Sequence, residues 1–247
     1  MGNRIVHFEI NAPGSEALHS FYAELFGWDV RVIPGAGYGL VDTKAGSGIN
    51  GGIGSVADGS TFVTFYVEAD DLQAVLDRAV ELGGTVATPE TEIQYVTYAM
   101  IADPDGLLVG VVKTGGGGDE GHGPSSGDGC AVDWIEVLGK DAAATQRFYT
   151  ELFDWKLQES GPPGYALLDA ERSGSDVGGG LGAGDGTTWV TVYASVPDIE
   201  AAFTRAEALG AEKLYGPNDV GQNTLTGAIK DPAGNAFGLY SHRHPHD

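Results

Sequence analysis

Cysteine is almost missing from this chain. Cys130 is the only one, so no intramolecular disulfide can form and no thiolate cluster can hold a metal. A lone thiol fits a reducing compartment, and the expected location is the cytoplasm. Positive charge is scarce as well: 13 Lys+Arg stand against 35 Asp+Glu, a formal charge of -22. Phosphate backbones and anionic lipids are repelled by such a surface, which argues against nucleic acid and membranes as partners. Long apolar runs are lacking too. No stretch approaches the roughly 18 residues of a spanning helix, and Met1 to Phe8 has neither the basic segment nor the apolar run of a secretory signal.

What is present is an ordinary hydrophobic content, 42% of 247 residues, enough for one large or two small domains. The residues are arranged as a duplication. Phe21-Tyr-Ala-Glu-Leu-Phe-Gly-Trp28 recurs as Phe148-Tyr-Thr-Glu-Leu-Phe-Asp-Trp155, at an offset of 127. At the same offset Glu9 becomes Glu136, Gly37-Tyr38 becomes Gly164-Tyr165, and Val63-Thr64 becomes Val190-Thr191. Asp103-Pro-Asp-Gly106 returns as Asp231-Pro-Ala-Gly234, one residue further along. The expected organisation is a first domain over 1–113, a linker over 114–130, a second domain over 131–241 and a His-rich tail over 242–247. The linker is glycine-rich and has almost nothing to bury. It has no Gly-Lys-Ser/Thr ending and no strand running directly into a helix, so it does not read as a phosphate loop.

Each half is itself a doublet. Asn3 to Ile10 reads as a strand; Leu18, Phe21, Tyr22, Leu25 and Phe26 then fall on one helical face, and Gly27 stops the helix. Short strands follow around Asp29–Ile33, Tyr38–Asp42 and Ile49–Val56. The order repeats as Thr61–Glu68, a helix with Leu72, Val75, Leu76 and Ala79 on one face, then Thr85–Thr88, Tyr95–Ala102 and Leu107–Lys113. The second half does the same, with Ile199, Ala202, Phe203 and Ala206 as its last helical stripe. The expected fold class is α+β, four βαβββ modules in two tandem halves, each a curved mixed sheet with helices outside.

Four such modules, the Phe-Tyr-x-x-Leu-Phe-Gly-Trp helix end and the Asp-Pro-x-Gly turn before the last strand together resemble the glyoxalase/bleomycin-resistance/dioxygenase (vicinal oxygen chelate) superfamily. Within it, the layout is similar to two-domain, actinobacterial-type glyoxalase-like proteins. The resemblance implies that each curved sheet wraps a cavity. It also implies metal-ligand places: a His on the first strand about 14 residues before the helix Phe-Tyr, a second ligand on the fifth strand, and a Glu in the last strand. These places fall on His7, Thr64 and Gly110 in the first half and on Trp134, Thr191 and Gly238 in the second. A divalent metal needs three or four converging His, Cys or carboxylate groups; glycine supplies none and threonine rarely does. No metal and no other cofactor is therefore expected. One route to a metal stays open, since His7 and Glu9 share a strand face and could act with help from elsewhere.

Glu9 and Glu136 are the candidate catalytic residues. A carboxylate among Tyr, Trp and Thr side chains has its pKa raised by desolvation, which suits a general base or acid near neutral pH. Each could equally orient a ligand, or close the sheet by bonding to its neighbours. His7, Thr64, Tyr66, Trp134, Thr191 and Tyr193 are the candidate ligand-binding residues, by strand parity with the carboxylates. Tyr38, Tyr95, Tyr165 and Trp189 add flat apolar surface suited to an aromatic or polycyclic molecule. His242, His244 and His246 could take a transition metal adventitiously without forming a site.

Three activities stay open. The first is a metal-independent small-molecule-binding protein that holds a metabolite or antibiotic, as metal-free family members do. The second is a metal-independent isomerase, cyclase or lyase with Glu9 or Glu136 as base. The third, a metal-dependent dioxygenase or glyoxalase-type isomerase, is what the ligand places argue against. The expected partner is one small molecule, on a monomer or homodimer. His7 against Trp134 shows that the two halves have diverged, and the first is favoured as the working site.

Overall fold

The computed structural model describes residues 2–93, 96–115, 127–158 and 163–242. Tyr95, most of the glycine-rich linker, and His244 and His246 lie outside the described residues. The first module is β1 (Ile5–Ala12), α1 (Glu16–Phe26), β2 (Asp29–Ile33), β3 (Tyr38–Asp42) and β4 (Gly51–Ser55). The second is β5 (Phe62–Ala69), α2 (Leu72–Glu81), β6 (Thr85–Ile93), β7 (Val96–Ala102) and β8 (Leu108–Lys113). The third is β9 (Val132–Gly139), α3 (Ala142–Phe153), β10 (Tyr165–Leu168), α4 (Ala170–Ser173) and β11 (Gly178–Ala183). The fourth is β12 (Trp189–Ser195), α5 (Ile199–Ala208), β13 (Glu212–Asp219), β14 (Thr224–Lys230) and β15 (Ala236–His242). The strands form two mixed sheets, ordered β2-β3-β4-β1-β5-β8-β7-β6 and β10-β11-β9-β12-β15-β14-β13. The α+β class and the two-half arrangement are as the sequence indicates.

One difference in detail has a local cause. β6 runs five residues beyond Thr88, through Pro89, because it is an edge strand whose pairing with β7 shifts register twice and needs no donor at every position. In the third module Leu157 bridges Leu168 in the antiparallel sense, with Gln158 N donating to Leu167 O at 2.9 Å and Asp169 N to Lys156 O at 2.8 Å, while Lys156 N donates to Ser173 Oγ of the short α4 at 2.9 Å; residues 159–162, which follow, lie outside the described residues.

The repeated helix-end motif is a folding device. At Gly27 the backbone turns left-handed (φ 72°) and its N–H donates to Ala23 O at 3.0 Å, closing α1. Trp28 then folds back to stack on Tyr22, ring centroids 5.8 Å apart. Asp154 makes the same left-handed turn (φ 54°), which aspartate tolerates, and Trp155 stacks on Tyr149 at 6.2 Å.

The chain divides into two compact units, and each takes one module from each half. One unit holds most of β5, α2, β6 to β8, most of β9, α3, β10, α4 and β11. The other holds most of β1, α1, β2 to β4, most of β12, α5 and β13 to β15. Inside each unit a fully buried tyrosine of one half meets the Asp-Pro-x-Gly aspartate of the other. Tyr22 Oη donates to Asp231 Oδ2 at 3.0 Å, and Tyr149 Oη donates to Asp103 Oδ2 at 3.2 Å. The second oxygen of each aspartate holds its own turn: Asp103 Oδ1 accepts from the N–H of Asp105 and Leu107, and Asp231 Oδ1 from those of Ala233 and Asn235. The helix-end and turn motifs are thus two ends of one bond. Burial and the adjacent carboxylate hold both phenols well above the usual tyrosine range, and burial pushes the Asp103 carboxyl up.

Candidate functional site

Glu9 and Glu136 sit on β1 and β9, each beside a glycine of the parallel neighbour: Glu9 pairs with Gly52 of β4 and Glu136 with Gly180 of β11. Neither glycine can carry a side chain, because a Cβ at Gly52 would overlap the Tyr38 hydroxyl and one at Gly180 the Tyr165 hydroxyl. The bare backbone lets each tyrosine lie across the strand and reach the carboxylate. Tyr165 Oη donates to Glu136 Oε1 at 2.8 Å, and Tyr38 makes the matching bond to Glu9. Burial, followed by the Glu9 charge, holds the Tyr38 phenol well above its usual range, so it stays a neutral donor.

An N–H completes each clamp, but from a different residue. Trp189 Nε1 donates to Glu136 Oε2 at 3.0 Å, whereas Asn11 Nδ2 donates to Glu9 Oε2 at 3.1 Å. The repeat accounts for the difference, since Phe62 stands where the second half has Trp189 and Leu138 where the first has Asn11. Glu136 is 9% exposed, while Glu9 is half-buried.

The six other candidates are placed as follows. His7 is half-buried and meets the Tyr66 ring edge-on at 5.8 Å; Tyr66 in turn meets Tyr98 at 6.4 Å. Thr64 and Thr191 are fully buried and donate their hydroxyls to backbone, Thr64 Oγ1 to Leu108 O at 2.8 Å and Thr191 Oγ1 to Ala236 O at 2.9 Å. Tyr193 shares a 2.8 Å hydrogen bond with Tyr215, hydroxyl to hydroxyl. Trp134 is half-buried beside Gly178, on the same strand face as Glu136. Sequence reasoning missed Asn11, Tyr215 and the hydrogen-bonding role of Trp189. A signal was there in the repeated glycines of β4 and β11, which follow Gly-Tyr in both halves.

The family's metal-ligand places do not fit a divalent cation. Gly110 pairs with Tyr66 and Gly238 with Tyr193, and in both cases the tyrosine ring fills the space a ligand side chain would need. The threonine hydroxyls at the second place are bonded to carbonyls. Among the described residues no group of three or more His, Cys, Asp or Glu side chains could hold a metal. Nor, among the described residues, is any helix long and apolar enough to cross a membrane.

Comparison with known proteins gives the same fold. Residues 7–112 match the family described as a glyoxalase-like domain, and residues 131–239 match the glyoxalase/bleomycin resistance protein/dioxygenase superfamily. The anthracycline biosynthesis protein DnrV of Streptomyces peucetius is 26% identical over 94% of this chain and 90% of its own length. CFP32 of Mycobacterium tuberculosis, whose name assigns it provisionally to the glyoxylases, is 26% identical over 94% of this chain and 92% of its own length. Among solved structures, the Mn(II)-bound glyoxalase from Novosphingobium aromaticivorans superposes with a TM-score of 0.66 at 15% identity, covering 98% of this chain and 82% of that one. The 2,3-dioxygenase LapB from Pseudomonas sp. KL28 gives a TM-score of 0.64 at 17% identity over 99% and 95%. With both halves matched, the chain belongs to the glyoxalase/bleomycin resistance/dioxygenase superfamily.

Proposed function

We propose that this chain is a metal-independent binding protein for an aromatic or polycyclic small molecule, a metabolite or an antibiotic. The observation that carries this reading is the clamp repeated in both halves, a carboxylate fixed by a tyrosine hydroxyl and an N–H. Two fixed donors turn a carboxylate into an oriented acceptor, and polar anchors among aromatic side chains suit a ring-shaped ligand. Similarity to a protein named for anthracycline biosynthesis favours a polycyclic one. Metal independence rests on the donor set: glycines, bonded threonines and tyrosine rings stand where ligands would be needed.

A second reading, a metal-independent isomerase, cyclase or lyase, is favoured by the burial of Glu136 against the Tyr165 phenol, a pair through which a substrate proton could be taken up and passed on. Elemental analysis and native mass spectrometry of protein truncated after Tyr240 test the main reading. The expected result is less than stoichiometric metal together with a saturable one-to-one complex with a hydroxylated anthraquinone. One tightly held iron, zinc or manganese per chain would overturn it. Turnover that Glu136→Gln abolishes while binding survives would move the assignment to the enzyme.

A further inference from the structure

An open sheet ends in two outer strands whose backbone groups can pair with another chain, and proteins that stay apart blunt them. Three of the four outer strands here are blunted. β6 and β13 carry Pro89 and Pro217, and each shifts register twice against its neighbour. β10 is bridged on its outer side by Leu157, with the Gln158 N–H donating to Leu167 O and the Asp169 N–H to Lys156 O. β2 is different. It pairs with β3 through consecutive residues without a shift, has no proline from Asp29 to Ile33, and among the described residues has no strand on its other side. Val32, in the middle of this edge, is 51% exposed.

We propose that β2 is a self-association edge, which pairs antiparallel with β2 of a second copy of this chain across a two-fold axis. The charges of the strand choose the register. Residues opposite each other in an antiparallel ladder stand on the same face, so the axis must pass through a residue and not between two. An axis at Arg31 sets arginine against arginine, and one at Asp29 sets aspartate against aspartate; like charges directly opposite destabilise a ladder. An axis at Val32 or Ile33 draws in Pro34, which has no N–H to give. An axis at Val30 sets Val30 against Val30, and each Arg31 against Asp29 of the other copy. That register alone makes opposite-charge pairs.

The side chains are available for it. Asp29, Arg31 and Val32 are exposed. Among the described residues Arg31 has no ion pair within the chain, and Asp29 has Lys44 Nζ at 3.7 Å, an exposed pair of little energy. On the opposite face Val30 lies over Gly39 beside His19 of α1, so the pairing joins Val30 and Val32 of the two copies into one apolar stripe. Net charge opposes association, since each copy carries -22. At physiological salt, however, exposed charges farther apart than about 8 Å are largely screened, and the opposed pairs in the seam are closer than that. So short a seam lies at the low end of specific interfaces, and the dimer exchanges with monomer.

Sedimentation velocity of the full chain over a concentration series tests this. The wild type should show a reversible equilibrium of monomer and dimer. Arg31→Asp and Asp29→Arg should each weaken self-association at least about tenfold, because both charge pairs become repulsive. Mixed together, these two variants should dimerise with one another, since two aspartates of one strand then face two arginines of the other. The double variant Asp29→Arg/Arg31→Asp should return to within about threefold of the wild type. A wild type that is monomeric at every concentration, self-association that the single variants leave unchanged, or single variants that fail to pair on mixing overturns the proposal. Circular dichroism checks each fold, and if one single variant does not fold, the other and the double variant decide.

Discussion

At the scale of single residues, the tyrosines link folding to pH. Tyr22, Tyr38 and Tyr149 are held well above the usual phenol range, by burial first and by a neighbouring carboxylate second. Tyr240, which donates to Asp133 Oδ1 at 2.7 Å, is also pushed up, mainly by burial. A folded pKa above the unfolded one means the native state keeps protons that the unfolded chain releases. The stability these groups contribute is complete below about pH 10 and is lost as pH rises through their folded values. Of the ten tyrosines, these four should therefore not ionise between about pH 9 and 11 in the native protein. Absorbance at 295 nm checks this, and the missing amplitude should appear only on alkaline unfolding. The duplicated Tyr22 and Tyr149 were legible in the sequence as core. Their bonds to Asp231 and Asp103 were not, because partners so far apart in the chain leave no periodic trace.

At the scale of elements, the duplication supplies its own control. Gly27 and Asp154 occupy the same left-handed helix stop, at φ 72° and 54°. Gly27→Ala should cost about 1 kcal/mol, the penalty of a Cβ in that region. Asp154→Gly should shift the melt upward instead, and thermal denaturation of the two variants compares them directly. Most elements could be read from alternation, helical stripes and glycine stops. The bond from the Lys156 N–H to Ser173 Oγ could not, because it joins residues 17 apart across a short helix. The same limit hid the clamps. Glu9 and Glu136 were found by the repeat, yet that Tyr38 and Tyr165 would lie across Gly52 and Gly180 follows from strand register.

At the scale of the whole molecule, each compact unit combines a module from the first half with one from the second. Cutting the chain between the halves would strip Tyr22 of Asp231 and Tyr149 of Asp103, leaving buried polar groups without partners. Residues 1–113 and 131–241 produced separately should each melt well below the intact protein, and mixing them should recover a cooperative transition. Separate halves that melt as high as the parent would refute this. The sequence by itself determined the α+β class, the four modules and the family resemblance, since these depend on residue type, period and repeat. Tertiary structure alone decided which donors fix Glu9 and Glu136, that tyrosine rings fill the space over Gly110 and Gly238, and that each unit is built from both halves. Those facts are contacts between residues distant in sequence, and they exist only once strand register and packing bring the side chains together.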